Sequence, residues 1–186
     1  MKRICFLLGS LNGRGGTGRA VSLLANQLCE KYAVHMVCYC QDLAEIRYSV
    51  DERIQVKAVY STPRSMAKGI FGVIRFMRAF LKENRIDVLL ACGALLFPGA
   101  IIAARLAGVK VICCDHSNYT CVADAKFERQ CRNFGAFFAD YLVTLTEKDI
   151  QNYQQGTTVK AKICAIPNLV DDALMSRGDV PYNRDS

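Results

Sequence analysis

The stretch RICFLLGSLNGRGGTGRAVSLLANQL, residues 3–28, decides the fold class. It passes from an apolar strand through a glycine turn into an amphipathic helix. Gly13, Gly15 and Gly18 have the spacing G-x-G-x-x-G, which in this setting predicts a phosphate-binding turn at a helix N-terminus. Arg19 adds positive charge. The spacing alone does not decide between a nicotinamide dinucleotide and another phosphate-bearing ligand.

Strand and helix patterns alternate along the rest of the chain. The predicted strands are residues 3–9, 34–40, 54–59, 86–91, 109–114, 141–144 and 163–166, and the predicted helices are residues 17–31, 63–84, 98–107, 121–139 and 147–153. This alternation predicts an α/β fold: a Rossmann-like, doubly wound, mostly parallel sheet with helices on both faces. We expect one domain over residues 1–172, followed by a polar tail or linker over residues 173–186.

The composition, 52% hydrophobic with a net charge of +7, is that of an ordered globular protein that favours anionic partners. Ten cysteines and two histidines occur, but no C-x-x-C pair. We therefore expect no metal site, reduced thiols and a cytoplasmic protein. No nucleic-acid-binding signature accompanies the positive charge, so nucleic acid is not expected as a partner.

Ligands of a doubly wound sheet gather at the carboxyl ends of its strands. Three segments are predicted there: the glycine loop at 12–19, DHSNYT at 115–120 and PNLVDD at 167–172. In the segment at 115–120, the His116 imidazole can donate a hydrogen bond to a sugar hydroxyl or a phosphate, or accept one from a hydroxyl, near neutral pH. The alternative is a loop of turn-forming and helix-capping residues. His35 lies in an alternating strand, where a structural role is expected.

The predicted helix at 63–84 is amphipathic, with an arc of roughly 100° that is basic. Lys68, Arg75 and Arg78 lie in this arc with Phe71 among them. Its other basic members are Arg64, Lys82 and Arg85. The apolar side consists of Met66, Ile70, Val73, Phe76, Met77 and Phe80. A basic face with an exposed aromatic residue predicts contact with an anionic membrane, and the alternative is an ordinary solvated face.

Four segments, in this order, resemble glycosyltransferase family 4. They are GGTGRAVSLLANQL at 15–28, VICCDHSN at 111–118, ADYLVTLTEKDIQNY at 139–153 and AIPNLVD at 165–171. The resemblance covers residues 1 to about 172. It implies the N-terminal, acceptor-side half of a GT-B enzyme, in which two Rossmann-like domains face each other across a cleft.

What the resemblance implies for function is specific. The enzyme would be a retaining glycosyltransferase without a metal or other cofactor, moving a sugar from a nucleotide-sugar to a glycan or lipid-linked acceptor. The setting would be bacterial surface polysaccharide or lipopolysaccharide synthesis, in the cytoplasm or on the inner face of the plasma membrane. The donor-binding half is not in these 186 residues, so the isolated chain is expected to be inactive.

The resemblance also assigns residues. His116 matches the active-site histidine. The donor phosphate would approach the loop residues Gly15, Gly16 and Arg19, and the acceptor-side loop would consist of Asp115, Ser117 and Asn118.

Two other functions stay open at this point. A nicotinamide-dependent oxidoreductase would need Asp42, which follows the second predicted strand, to hold a ribose. A non-catalytic, membrane-associated module of the same fold would need only the basic helix.

Overall fold

The computed structural model describes residues 1–12, 16–120 and 126–169. Its centre is a seven-stranded sheet in the order β3-β2-β1-β4-β5-β6-β7, in which every neighbouring pair is parallel. The strands are β1 Arg3–Leu8, β2 Ala33–Cys40, β3 Gln55–Tyr60, β4 Val88–Cys92, β5 Lys110–Cys114, β6 Tyr141–Thr144 and β7 Lys162–Ala165. The strand order reverses between β1 and β4, so the predicted doubly wound sheet is confirmed.

The helices are α1 Gly16–Leu28, α2 Met66–Glu83, α3 Phe97–Ala107, α4 Lys126–Phe138 and α5 Glu147–Gly156. They pack on both faces of the sheet, but unequally. Residues of α1, such as Val21, share a core with Phe6 and Met36 on one face. The other four helices contribute to a larger core on the opposite face, where Leu7 and Leu89 point. Alternate strand residues therefore feed two separate cores.

The helix α2 is shorter than the predicted 63–84. Ser65 precedes it in an extended conformation, which is typical of an N-cap residue. Arg85 adopts a left-handed conformation with φ 50° just beyond its end. Arg64 and Arg85 consequently lie outside the helix. The apolar side of α2 is turned inward as predicted, since Val73, Met77 and Phe80 are buried.

Two glycines of α2 receive tyrosines from the sheet. A side chain at Gly69 would overlap the Tyr39 hydroxyl, and one at Gly72 would overlap the Tyr60 hydroxyl. Tyr39 donates a hydrogen bond to the Ser65 carbonyl and Tyr60 to the Gly69 carbonyl, both at 3.0 Å. The glycines thus let the phenol rings lie directly under the helix backbone.

The long apolar run at 88–104 folds as a strand and a helix, as predicted. Gly93 turns the chain out of β4 with φ 118°, a conformation that favours glycine. A short 3₁₀ turn, Ala94–Leu96, leads into α3, and Gly108 ends that helix in the left-handed conformation with φ 74°. Within the described ranges no helix is both long and apolar enough to cross a bilayer.

Candidate functional site

The glycine loop and α1 lie at the carboxyl end of β1. Gly13, Arg14 and Gly15 lie outside the described residues, and Gly16 is the exposed first residue of α1. Arg19 is exposed one turn further on. A Cβ at Gly18 would lie 2.9 Å from the Tyr48 ring and 3.2 Å from the Ser10 carbonyl oxygen. The third glycine of the motif therefore permits close helix packing.

Gln41 organises the start of the glycine loop, and sequence reasoning missed it. This residue is buried at the end of β2. Its Oε1 accepts hydrogen bonds from the Leu11 backbone N–H at 2.6 Å and from the Ser10 hydroxyl at 3.2 Å, and its Nε2 donates to Asn12 Oδ1. Its neighbour Asp42, the ribose candidate, is exposed and accepts a bond from the Ala44 N–H in its own turn.

His116 lies between the loop after β5 and the turn after β7. Its Nδ1 is 3.2 Å from Asn168 Oδ1. With that oxygen as the acceptor, Nδ1 carries the proton and Nε2 is an acceptor. Nε2 is buried and bonds to no described residue. His116, Asn168 and Asp115 are the polar residues that line a mostly apolar cavity of about 200 Å³ on the α1 side of the sheet, with Phe6, Leu90, Cys92 and Cys114 among the apolar lining residues.

Burial lowers the pKa of His116 below 6.5, although the hydrogen bond with Asn168 and the charge of Asp115 oppose this shift. The ring is therefore neutral near pH 7. A neutral imidazole with a free Nε2 lone pair can accept a hydrogen bond from a hydroxyl group that enters the cavity.

Asp115, predicted in the acceptor-side loop, is held there by buried protein partners. The sequence places it in the acceptor-side loop, where it does lie, but its carboxylate faces the interior. Oδ2 accepts hydrogen bonds from Arg132 Nε at 2.7 Å and from the Tyr153 hydroxyl at 2.6 Å, and Oδ1 accepts from the Ser117 N–H at 3.1 Å. Asp115, Arg132 and Tyr153 are all at most 2% exposed. Asp115 therefore holds the loop through buried contacts, and it also contributes to the lining of the His116 cavity.

The donors that surround Asp115 stay protonated. Burial raises the pKa of Tyr153, and the charge of Asp115 raises it further. Burial opposes ionisation of Arg132, but its hydrogen bond to Asp115 and the charge of Asp115 raise its pKa. Arg132 Nη2 also lies 2.9 Å from Glu128 Oε1. A buried ionic network thus joins β5, α4 and α5 beneath the His116 loop.

A second buried carboxylate fixes the far end of this loop. Thr146 caps α5, with its hydroxyl accepting a hydrogen bond from the Asp149 N–H at 3.2 Å. The Asp149 carboxylate accepts the Tyr119 N–H at 2.8 Å. Ser117 and Asn118, between the two anchors, are exposed. Both predicted loop residues are therefore accessible to a ligand.

The basic residues of α2 lie on its outer face. Lys68, Arg75 and Arg78 are exposed, and the Phe71 ring is 80% exposed to solvent. This surface, here called the basic face (Lys68, Phe71, Arg75 and Arg78), points away from the sheet. His35 lies toward the amino end of β2, with its ring edge against Phe80 at 5.7 Å between centroids.

Two further observations concern metal ligands and thiols in the part of the chain described here. It contains no group of three His, Cys, Asp or Glu side chains placed to hold a metal ion. Its nine cysteines are all free thiols.

A parallel, doubly wound sheet with the N-terminus of α1 and the His116 loop at its carboxyl edge defines a Rossmann-like domain, here one half of a GT-B fold. The family model that matches is Glycosyltransferase Family 4, over residues 14–174. The chain belongs to this family. The nicotinamide hypothesis is not retained.

Similar proteins agree with this assignment. An uncharacterized glycosyltransferase of Haemophilus influenzae is 28% identical over 161 residues, which are 83% of this chain and 44% of that protein. The lipopolysaccharide outer core galactosyltransferase WaaB, in its apo form, has a similar structure with a TM-score of 0.67, 17% identity and coverage of 99% of this chain and 50% of WaaB.

Two ligand-bound structures share the fold. HepE of Anabaena in complex with UDP-glucose has a TM-score of 0.69 at 15% identity, over 94% of this chain and 46% of HepE. UDP-GlcNAc 2-epimerase of Neisseria meningitidis, bound to UDP-GlcNAc, has a TM-score of 0.66 at 16% identity, over 94% of this chain and 49% of the epimerase. The chain thus spans about half the length of these relatives.

Proposed function

We propose that the chain is the acceptor-side half of a retaining glycosyltransferase. The complete enzyme transfers a sugar from a nucleotide-sugar to a glycan or lipid-linked acceptor in bacterial surface polysaccharide synthesis, with lipopolysaccharide as the leading case. Family membership and the half-length coverage of relatives support this proposal. The donor-binding half would come from the remainder of the protein, so the isolated chain would not turn over.

The observation that carries the proposal is the buried Nε2 of His116 at the carboxyl edge of the sheet, which has no hydrogen-bond partner in the described part of the chain. A neutral histidine held by Asn168 offers one acceptor to an incoming hydroxyl and no charge. A sugar supplies such a hydroxyl. We therefore place His116 beside the reacting sugar, where it positions the donor or acceptor by a hydrogen bond.

The direct test is to incubate the full-length protein with a panel of UDP-, GDP- and CMP-sugars and with membrane lipid extracts as acceptors. Nucleotide release that depends on the acceptor, with a product whose anomeric configuration matches the donor, would support the proposal. An inverted product would contradict retention. Conversion of a UDP-sugar to its epimer without transfer would contradict the transferase assignment.

We place the phosphate of the sugar donor at the N-terminus of α1, near Gly15, Gly16 and Arg19. The helix dipole and the exposed Arg19 give that end positive character. The neighbours solved with UDP-glucose and UDP-GlcNAc support a uridine nucleotide donor. We expect Arg19→Gln in the full-length protein to raise the KM for the nucleotide-sugar more than it lowers kcat; an unchanged KM would remove Arg19 from the donor site.

We propose that the basic face of α2 contacts the anionic inner surface of the plasma membrane. Each basic residue near such a surface adds about 1 kcal/mol of attraction, and Phe71 can enter the headgroup region. Vesicle sedimentation tests this: binding to phosphatidylglycerol vesicles, but not to phosphatidylcholine vesicles, should vanish when Lys68, Arg75 and Arg78 are changed to Glu.

A matched control reverses three exposed basic residues elsewhere, Lys31, Arg47 and Lys148. Equal loss of binding in the control would show that net charge, and not the basic face, governs attachment. We also expect transfer without an added cofactor or metal, so activity that disappears in EDTA and returns with a divalent ion would overturn that expectation.

A further inference from the structure

A second opening lies at the point where the strand order reverses, between the carboxyl ends of β1 and β4. It is a crevice of about 350 Å³, separate from the His116 cavity in most of its lining. Its walls are the end of β1 at Gly9, the turn after β4, the loop residue Ser117 and the start of α2 at Met66. In an open parallel sheet this is where ligands are expected to enter.

The crevice is largely apolar. Tyr39, Met66, Leu95 and Leu96 contribute to its lining, and Leu95 is 38% exposed although it is a large apolar residue. Gly93, with φ 118°, directs the chain into the 3₁₀ turn that carries Leu95. The backbone is therefore turned in a way that presents apolar side chains to the opening.

Two charged residues line the same crevice, and they differ. Glu128 is half-buried and paired with Arg132. Arg64 is exposed; its guanidinium stacks 4.6 Å from the centroid of the Tyr60 ring. No carboxylate among the described residues pairs with Arg64. The crevice thus presents one oriented cation whose N–H groups can bind a phosphate.

Arg64 also connects the crevice to the basic face. Lys68 lies one helical turn beyond it in sequence and Phe71 about one turn further, and both are exposed. The first turn of α2 contains no acidic residue, so nothing there opposes an anion.

We propose that this crevice binds a phosphate-bearing amphiphile, with Arg64 on the phosphate and the apolar lining around the first part of the hydrocarbon or an equivalent apolar group. The inference rests on the proposed function, for which it names the acceptor class: an anionic lipid or lipid-linked phosphate delivered from the membrane. Ser117 and Glu128 then face the polar end of the acceptor.

The first test is an NMR titration of the chain with dihexanoyl phosphatidic acid below its micelle concentration. We expect saturable shifts at the amides of Tyr39, Leu95 and Ser117 and at the side chain of Arg64. Glycerol phosphate and inorganic phosphate lack the hydrocarbon chains. Dihexanoyl phosphatidylcholine keeps the chains but has no net negative charge, because its choline group neutralises the phosphodiester. Each should bind at least about tenfold more weakly, as expected when a buried chain or one charge-assisted contact is lost.

Arg64→Gln should weaken binding of the phosphatidic acid about tenfold. The control Lys82→Gln, an exposed basic residue near the other end of α2, should leave it unchanged. Equal binding of phosphatidylcholine, equal binding of glycerol phosphate, or shifts confined to Phe71 and Arg75 would each overturn the proposal.

Activity separates this inference from the proposed function. If the chain binds the amphiphile through Arg64 but the full-length protein transfers no sugar, the crevice assignment stands and the proposed function fails. If the full-length protein transfers sugar and Arg64→Gln leaves the acceptor KM unchanged, the crevice assignment fails alone.

Discussion

The two histidines lie near opposite ends of the parallel strands. Their pKa values shift in the same direction, but their surroundings differ. Burial lowers the pKa of both His35 and His116, and each has one buried ring nitrogen without a partner among the described residues. His35 packs edge-on against Phe80 near the amino edge. His116 lies at the carboxyl edge, in a loop anchored by two buried carboxylates. A lowered pKa is thus common to both histidines, and what distinguishes His116 is its place in an anchored loop at the carboxyl edge of the sheet.

The largest expected effect comes from removing the support of the His116 loop. Arg132→Met leaves the Asp115 carboxylate buried without its cation, which should lower the free energy of unfolding by about 3–5 kcal/mol. Urea denaturation measures this loss. Arg53→Met, which breaks the exposed pair with Asp51 at 2.8 Å, serves as the control and should cost far less. Similar losses for both variants would contradict the assigned role of Asp115.

The contrast between His116 and His35 would be wrong if replacing either one changed the activity of the full-length enzyme equally. His116→Ala removes the proposed hydrogen bond to the sugar and should lower kcat/KM by about tenfold to a hundredfold. His35→Ala should leave kcat/KM unchanged. Circular dichroism should show both variants folded. Full activity of His116→Ala would remove His116 from the mechanism.

The pH dependence tests this contrast further. Both histidines should affect how stability depends on pH, but only His116 should affect how transfer activity depends on pH. Both folded pKa values lie below the ordinary 6.5, so the unfolded chain takes up protons first and stability falls as the pH drops below 6.5. Urea unfolding between pH 5 and 8 should show this decline, and His35→Gln or His116→Gln should each flatten part of it.

Transfer activity should respond to only one of them. Protonation of His116 at low pH removes the Nε2 acceptor, so kcat/KM should fall on the acid side with an apparent pKa below 6.5. The His35→Gln enzyme should keep this acid limb. Its disappearance in His35→Gln would mean that the wrong histidine has been assigned.

The smallest effect is expected at the N-cap of α5, the helix whose Asp149 anchors the His116 loop. Thr146→Ala removes the N-cap of α5, the helix that carries Asp149 and Tyr153, and should lower stability by about 1 kcal/mol. Thermal unfolding measures the change. Thr146→Ser retains the hydroxyl and should behave like the natural chain, so a loss in the serine variant would argue against a capping role.

The fold follows from local patterns, while the interior of the site does not. Alternating strands and helices, Pro98 near the start of α3 and Gly108 at its end are visible in the sequence because they are short-range signals. Asp115 meets Arg132 and Tyr153 from 17 and 38 residues away, and no local pattern reports such a contact. Gln41 escaped notice for the same reason, since its partners lie some 30 residues earlier.

The sequence also predicts the ends of helices less accurately than their existence. The predicted helix at 63–84 includes Arg64, but the helix begins at Met66, because periodic charge continues past the backbone hydrogen bonds that define a helix. The same misplacement has a useful result: Arg64, freed from the helix surface, can lie over Tyr60 and beside the crevice.

The glycine–tyrosine contacts under α2 have a consequence for how homologous chains vary. Gly69 lies over Tyr39 and Gly72 over Tyr60, each with no room for a methyl group. A larger residue at either glycine requires a smaller one at its tyrosine. Mutational drift at these positions should therefore be paired: in an alignment of homologues, positions 39 and 69, and positions 60 and 72, should covary in size.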